Sequence, residues 1–329
     1  MTTAASAVPS AGAHRRWLAA GVILGLAIAV LAFGLYRLAN RHEFIEYKME
    51  HAHDSPTAIA AAPDGSIWFT IDSASAVGRV QDGKVIRLAK PTENLEPVGL
   101  AVAADGSAWF TDAPAKQVSR MTPAGELTSV TLEMPIARLG GIAVAPDGAV
   151  WFAEGSAYSI TRLKDGALKR HVIESVRGGP FGVAVGPDGS VWATLQAANQ
   201  VLRIGPDGAM RGFDIPTRGS SPSDIRVDER GVVWFLEFRS NKLGRLESGT
   251  FQEFALGGHG VTPTGLAVAP DGAVWFAMLR TGSLGRFQDG KIRTVKLPRD
   301  SARPYSVAVD AAGNVWYADI SGYVGMLKR

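Results

Sequence analysis

The feature that most constrains this chain is a tryptophan that keeps returning. Trp68, Trp109, Trp151, Trp192, Trp234, Trp275 and Trp316 stand 41, 42, 41, 42, 41 and 41 residues apart. Around each lies one plan, clearest in PTGLAVAPDGAVWFAMLRTGSLGRFQDGKIRTVKLPRDSAR at residues 263 to 303. An apolar run meets a Pro-Asp-Gly turn, a Trp-Phe pair follows, a second run reaches an Asp-Gly turn, and an alternating strand closes the unit. A fixed period of about 40 to 45 residues holding four short strands is the signature of a β-propeller. The expected fold class is therefore all-β, a seven-bladed propeller, and function is to be sought on a ring of blades.

Composition narrows the classes of function. The 329 residues are 46% apolar and 20% charged, enough for a core, and 38 glycines suit tight turns. Basic and acidic residues number 34 and 31 and are spread without long runs, so no footprint for nucleic acid is visible. The chain has no cysteine, which excludes disulfides, thiolate metal sites, a cysteine nucleophile and a lipidated cysteine anchor.

The amino terminus reads differently from the rest. Residues 1–16 are small and polar and read as a disordered tail. WLAAGVILGLAIAVLAFGLY, from Trp17 to Tyr36, is uncharged. As a helix it spans roughly 30 Å, which predicts a transmembrane anchor over 17–38. It is too long for a secretory signal, and Trp17 and Tyr36 suit the interfacial belts. Arg15 and Arg16 with the amino terminus slightly outweigh Arg37 and Arg41. That bias puts the tail in the cytoplasm and the propeller, residues 43–329, on the periplasmic side of the inner membrane.

EFIEYKM at 43 to 49 matches the fourth strand of other repeats, such as FQEFAL at 251 to 256, whereas the last repeat stops after three strands. Residues 44–49 are thus expected to complete the last blade, removing open sheet edges. The blades would begin near Pro56, Pro97, Leu139, Pro180, Pro222, Pro263 and Pro304.

Strand order then separates two faces. Asp64, Asp105, Asp147, Asp188 and Asp271, with Asp82, Asp165, Asp207 and Asp289, fall on a turn face, where Asx side chains cap their own backbone and glycine supplies positive φ. The opposite, loop face carries the segments leading into each blade. Three residues past each tryptophan stand Ile71, Asp112, Glu154, Leu195, Glu237, Met278 and Asp319, a row read as a pocket with acidic and apolar sides. Arg239, Arg280 and Arg303 belong to this face as candidate ligand-binding cations. Arg226 occupies a position where the other six blades have alanine, so it needs a partner, with Asp224, Asp228 or Glu237 available. His51 and His53 form an H-x-H, a weak metal signal with Glu154 and Glu237 as further candidate ligands, and His259 lies in a Gly-Gly-His-Gly loop.

GLAVAPDGAVWFAM, GIAVAPDGAVWFAE, SNKLGRL and FQEFAL resemble the streptogramin lyase family, the virginiamycin B lyase-like propellers, over residues 43 to 329. The resemblance implies a seven-bladed ring closed by an N-terminal strand. It also implies magnesium-assisted elimination at an ester of a cyclic depsipeptide, which needs a base and a stabilising cation. The family's Glu-Pro-His before the last blade corresponds here to Arg303, Pro304 and Tyr305. The histidine of the preceding blade corresponds to Pro263 and Thr264, and the late glutamate to Asp319. Tyr305, ordinarily near pKa 10, serves as a base only if Arg303 depresses it.

Two readings follow. One is a membrane-anchored propeller binding a small molecule or protein partner through Asp112, Glu154, Arg226, Glu237, Arg239, Arg280 and Arg303. The other is a carbon-oxygen lyase or hydrolase with a rearranged site, its catalytic candidates Glu237, His259, Tyr305 and Asp319.

Overall fold

The computed structural model describes residues 43–72, 76–89, 97–133, 138–174, 179–258 and 260–329. The anchor expected over 17–38 lies outside them. Among the described residues no helix is long and apolar enough to cross a membrane. Seven antiparallel four-stranded sheets account for the regular structure. Their inner strands are Ser55–Ala61, Pro97–Val102, Leu139–Val144, Pro180–Val185, Pro222–Val227, Pro263–Val268 and Pro304–Val309. Each packs on the next, and the seventh packs on the first, so the ring is closed.

The outermost strand of blade seven is Glu43–Lys48, lying against Tyr323–Lys328. Arg299 ties this strand to its blade, with Glu46 at 3.0 Å and Asp319 at 2.6 Å. The Tyr317 hydroxyl donates to Glu46 at 2.7 Å.

Each unit folds as its residues dictate. Alternating apolar positions pack between neighbouring sheets, and Phe69, Phe110, Phe152, Phe235, Phe276 and Tyr317 of the Trp-Phe pairs are wholly buried. Each such side chain contributes about 1.5–3 kcal/mol by leaving water. At the Asp82-Gly83, Asp165-Gly166 and Asp289-Gly290 hairpins both residues have positive φ, as in Asp82 (48°) and Gly83 (71°), the geometry of a two-residue type I′ turn. At the Pro-Asp-Gly turns the carboxylate accepts the backbone N–H two residues on, as Asp64 does from Ser66 at 2.9 Å.

Candidate functional site

The inner strands converge on an axial channel. Their third residue is glycine in blades two, three, four and six, where a Cβ would meet the next blade: 2.6 Å from the Gly140 carbonyl at Gly99, 3.0 Å from the Val183 nitrogen at Gly141, 2.6 Å from the Ser223 carbonyl at Gly182, and 2.7 Å from Ser306 Cα at Gly265. Close approach of the strands therefore requires glycine there. Ala60, Ala101, Ala143, Ala184, Ala267 and Ala308 line the channel below.

Blade five breaks both rules, with Asp224 at the glycine place and Arg226 in the alanine row. Of the three carboxylates available, Arg226 takes Asp224, Nη1 to Oδ1 at 2.5 Å. The same Asp224 carboxylate accepts the Ile225 N–H at 2.9 Å and, across the blade boundary, the Leu266 N–H at 2.9 Å. A half-buried guanidinium is thus fixed in an otherwise apolar channel.

At the loop-face mouth, Thr57, Val98, Phe181, Thr264 and Tyr305 surround this pair. Val98, Phe181 and Tyr305 expose 40%, 38% and 39% of their surface, a set of large apolar groups open to a ligand. Burial, then the carboxylates of Asp72 and Asp224, push the Tyr305 phenol above its ordinary value. Arg303 does not lower it, contrary to the condition under which the phenol would act as a base. At neutral pH it is a hydrogen-bond donor.

The row three residues past each tryptophan is not an open rim. Asp112, Glu154, Glu237 and Asp319 have no exposed surface, and Ile71, Leu195 and Met278 beside them are equally buried. Each acid serves its own blade. Asp112 accepts from the Ala115 N–H at 3.1 Å, Glu154 meets Arg170 Nε at 2.8 Å, and Asp319 meets Arg299. Glu237 accepts from the Ser240 hydroxyl at 2.6 Å and is pushed up to about 7, chiefly by burial, against the pull of Ser240 and with Glu253 adding to the rise.

The remaining candidates lie apart from this mouth. Arg239, Arg280 and Arg303 are exposed on the loop face, as are His51 and His53 on a turn before blade one. His259 lies outside the described residues. Among the described residues no three His, Asp or Glu side chains gather closely enough to hold a metal ion. With Asp224 fully engaged, this donor set does not fit a magnesium ion held by protein ligands alone.

Two elements escaped sequence reasoning. Asp72 is the only acid four residues past a tryptophan, a singularity in the repeat that marks it. An arginine also recurs with the tryptophan period at Arg79, Arg120, Arg162, Arg203, Arg245 and Arg286. Arg162, Arg203 and Arg286 each cover a tryptophan ring and reach the turn aspartate, Arg203 lying 5.9 Å from the Trp192 ring and 3.0 Å from Asp188. A roomy cleft of ≈ 580 Å³ on the turn face includes Asp147 and Asp188, but both carboxylates are already taken by turns and arginines.

Comparison with known proteins agrees with this architecture. The family described as the Virginiamycin B lyase family matches residues 32–164 and 128–329. A virginiamycin B lyase of Nocardia farcinica is 36% identical over 194 residues, 58% of this chain and 66% of that protein, just under two thirds of its length. The solved structure of a catalytically inactive histidine-to-alanine virginiamycin B lyase from Staphylococcus aureus with quinupristin superposes with a TM-score of 0.83 at 25% identity, covering 88% of this chain and 100% of that one. YCF48 bound to D1 peptide, at 13% identity and a TM-score of 0.71 over 88% of this chain and 96% of that one, shares the fold alone.

Proposed function

Since the chain belongs to the virginiamycin B lyase family, we propose that it is a carbon-oxygen lyase of that kind, working at the loop-face mouth of the channel. The supporting observation is one apolar-rimmed opening lined by Asp224 and Tyr305, from blades five and seven, with the Asp72 carboxylate of blade one near enough to raise the Tyr305 phenol. Its substrate is an amphipathic macrocycle closed by an ester, its apolar groups resting on Val98, Phe181 and Tyr305.

Elimination needs a base at the carbon next to a carbonyl and a partner for the charge that develops on the carbonyl oxygen. Asp72 takes the proton. The Tyr305 phenol donates to the oxygen, and Arg226, held by Asp224, supplies the positive charge. The electron pair forms a carbon-carbon double bond, the carbon-oxygen bond breaks, and the ester leaves as a carboxylate. The family's magnesium would supply Lewis-acid polarisation of the carbonyl, but the donor set described above does not cradle it, so these three groups carry the step.

A specific departure favours a second reading, binding without turnover: Tyr305 and Thr264 stand where the family resemblance implies histidines. Incubation of the chain with a streptogramin B separates the two. Elimination yields a linear product of unchanged mass with a new ultraviolet absorption, whereas hydrolysis adds the mass of water. Saturable binding with neither product supports the second reading. Absence of binding sinks both.

The uncharged stretch at 17–36 supports a single-span anchor over 17–38, with the propeller outside the plasma membrane. Protease added to intact spheroplasts should then digest the propeller. Protection would place it in the cytoplasm.

A further inference from the structure

Between blades six and seven lies a second opening, a cleft of ≈ 480 Å³ whose lining includes Arg280, Lys296, Asp300 and Arg303. Three cations face one carboxylate, and no ion pair involving Arg280, Lys296, Asp300 or Arg303 forms among the described residues. Two further acids of this seam are engaged elsewhere: Arg299 holds both Glu46 and Asp319, the latter without exposed surface. The cleft lining thus carries three cations against one carboxylate, an excess of two positive charges.

The walls are built rather than loose. Arg280 N–H donates to the Val261 carbonyl at 3.3 Å, and Arg303 N–H donates to Asp319 at 3.0 Å. Lys296 Nζ donates to the Thr281 carbonyl at 2.8 Å, which fixes its ammonium while leaving further N–H donors. Gly282, at φ 58°, lets the loop close on the opposite wall, where a Cβ would stand 2.8 Å from the Ala302 carbonyl and 3.2 Å from Lys296 Nζ.

We infer that this cleft is an oxyanion site, taking a phosphate or carboxylate group between Arg280, Lys296 and Arg303. Two guanidinium forks and an ammonium match the planar or tetrahedral oxygens of such a group. The site stands apart from the turnover proposed for the channel mouth, because it is read by binding of a simple anion.

The test is equilibrium dialysis of the full chain in neutral detergent with labelled orthophosphate and, separately, with labelled acetate. One saturable site per chain is expected for at least one of the two, and the arm that binds names the source chemistry. Arg280→Gln and Arg303→Gln should each weaken binding tenfold or more, with melting temperatures kept as the check on folding, while Arg211→Gln on an outer strand changes nothing. Absence of saturable binding of either anion overturns the inference. So does a loss in Arg211→Gln equal to that in the cleft variants, which reports overall charge only.

Discussion

Glu237 and Glu253 are two acids brought together in blade five, and Glu253 adds to the rise that burial imposes on the Glu237 carboxyl. Glu237 is wholly buried and its Oε1 has no hydrogen-bond partner among the described residues, so its charged form is poorly supported. Glu253 is held low by Thr217, Glu237 and Lys242, which together outweigh its own burial. In blade three the same two places hold Glu154 and Arg170, an ordinary ion pair. Blade three thus supplies a counter-charge at this place, whereas blade five sets a second acid there and the buried glutamate is pushed up to about 7.

The pair makes stability depend on pH with a defined sign. Glu237 is raised to about 7 in the fold, so its contribution is complete below the unfolded glutamate value and is lost as pH climbs through about 7. Glu253, being lowered, works in the opposite sense, and its contribution is lost on acidification. Glu237→Gln keeps a neutral donor, so thermal melts should show the variant gaining on the parent at pH 8, by the order of 1 to 3 kcal/mol since one unit is about 1.4. At pH 5 the two should melt together. A gain of equal size at both values would refute the raised value of Glu237.

Arg299 closes the ring electrostatically as well as by hydrogen bonds. It pairs with Glu46 and Asp319, donates to the Ser321 hydroxyl at 2.8 Å and lies 3.5 Å from the Tyr323 ring centroid. Arg299→Met leaves a buried carboxylate without its cation, a loss of about 3–5 kcal/mol. Urea unfolding should register it, and limited proteolysis should cut first beside Glu43–Lys48. A variant within about 1 kcal/mol of the parent would show that the pairing is incidental.

Gly285 lets the Phe276 ring lie across the neighbouring strand, since a Cβ there would fall 2.0 Å from the ring. Gly285→Ala should cost about 1–3 kcal/mol by overpacking. Blade three holds Thr161 opposite Phe152 in the same register, so a buried ring can be placed otherwise. No loss in denaturant melts would mean that Phe276 has the same freedom.

The blades were legible in the sequence because each is local: four strands, two turns and a Trp-Phe pair fall within one period, and the Asp-Gly chemistry fixes the hairpins. The site was less so. Strand order gives the end at which Asp112, Glu154, Glu237 and Asp319 emerge, but whether that end is wet depends on loops and outer strands that cover it. Glu154 looks like a rim acid until Arg170, on another strand, seals it. Asp72 and Tyr305 meet only because the ring joins blade one to blade seven, and no spacing within a repeat encodes that. Arg226 was legible as an anomaly because six alanines framed it, although its partner had to be chosen among three acids by geometry.

The mouth chemistry turns on which group moves the proton. A phenol held above its ordinary value by burial and by Asp72 and Asp224 stays protonated from pH 6 to 9, so it can donate but not abstract. Tyr305→Phe should therefore lower turnover of a streptogramin B by roughly 10²-fold or more, the scale of one lost oxyanion donor. It should leave the shape of the pH profile unchanged. Asp72→Asn should abolish turnover but spare binding, because the amide keeps the size of the side chain and loses the base. If Tyr305→Phe instead erased the alkaline limb of the profile, the phenol would be the titrating base and the roles of the two residues would be reversed.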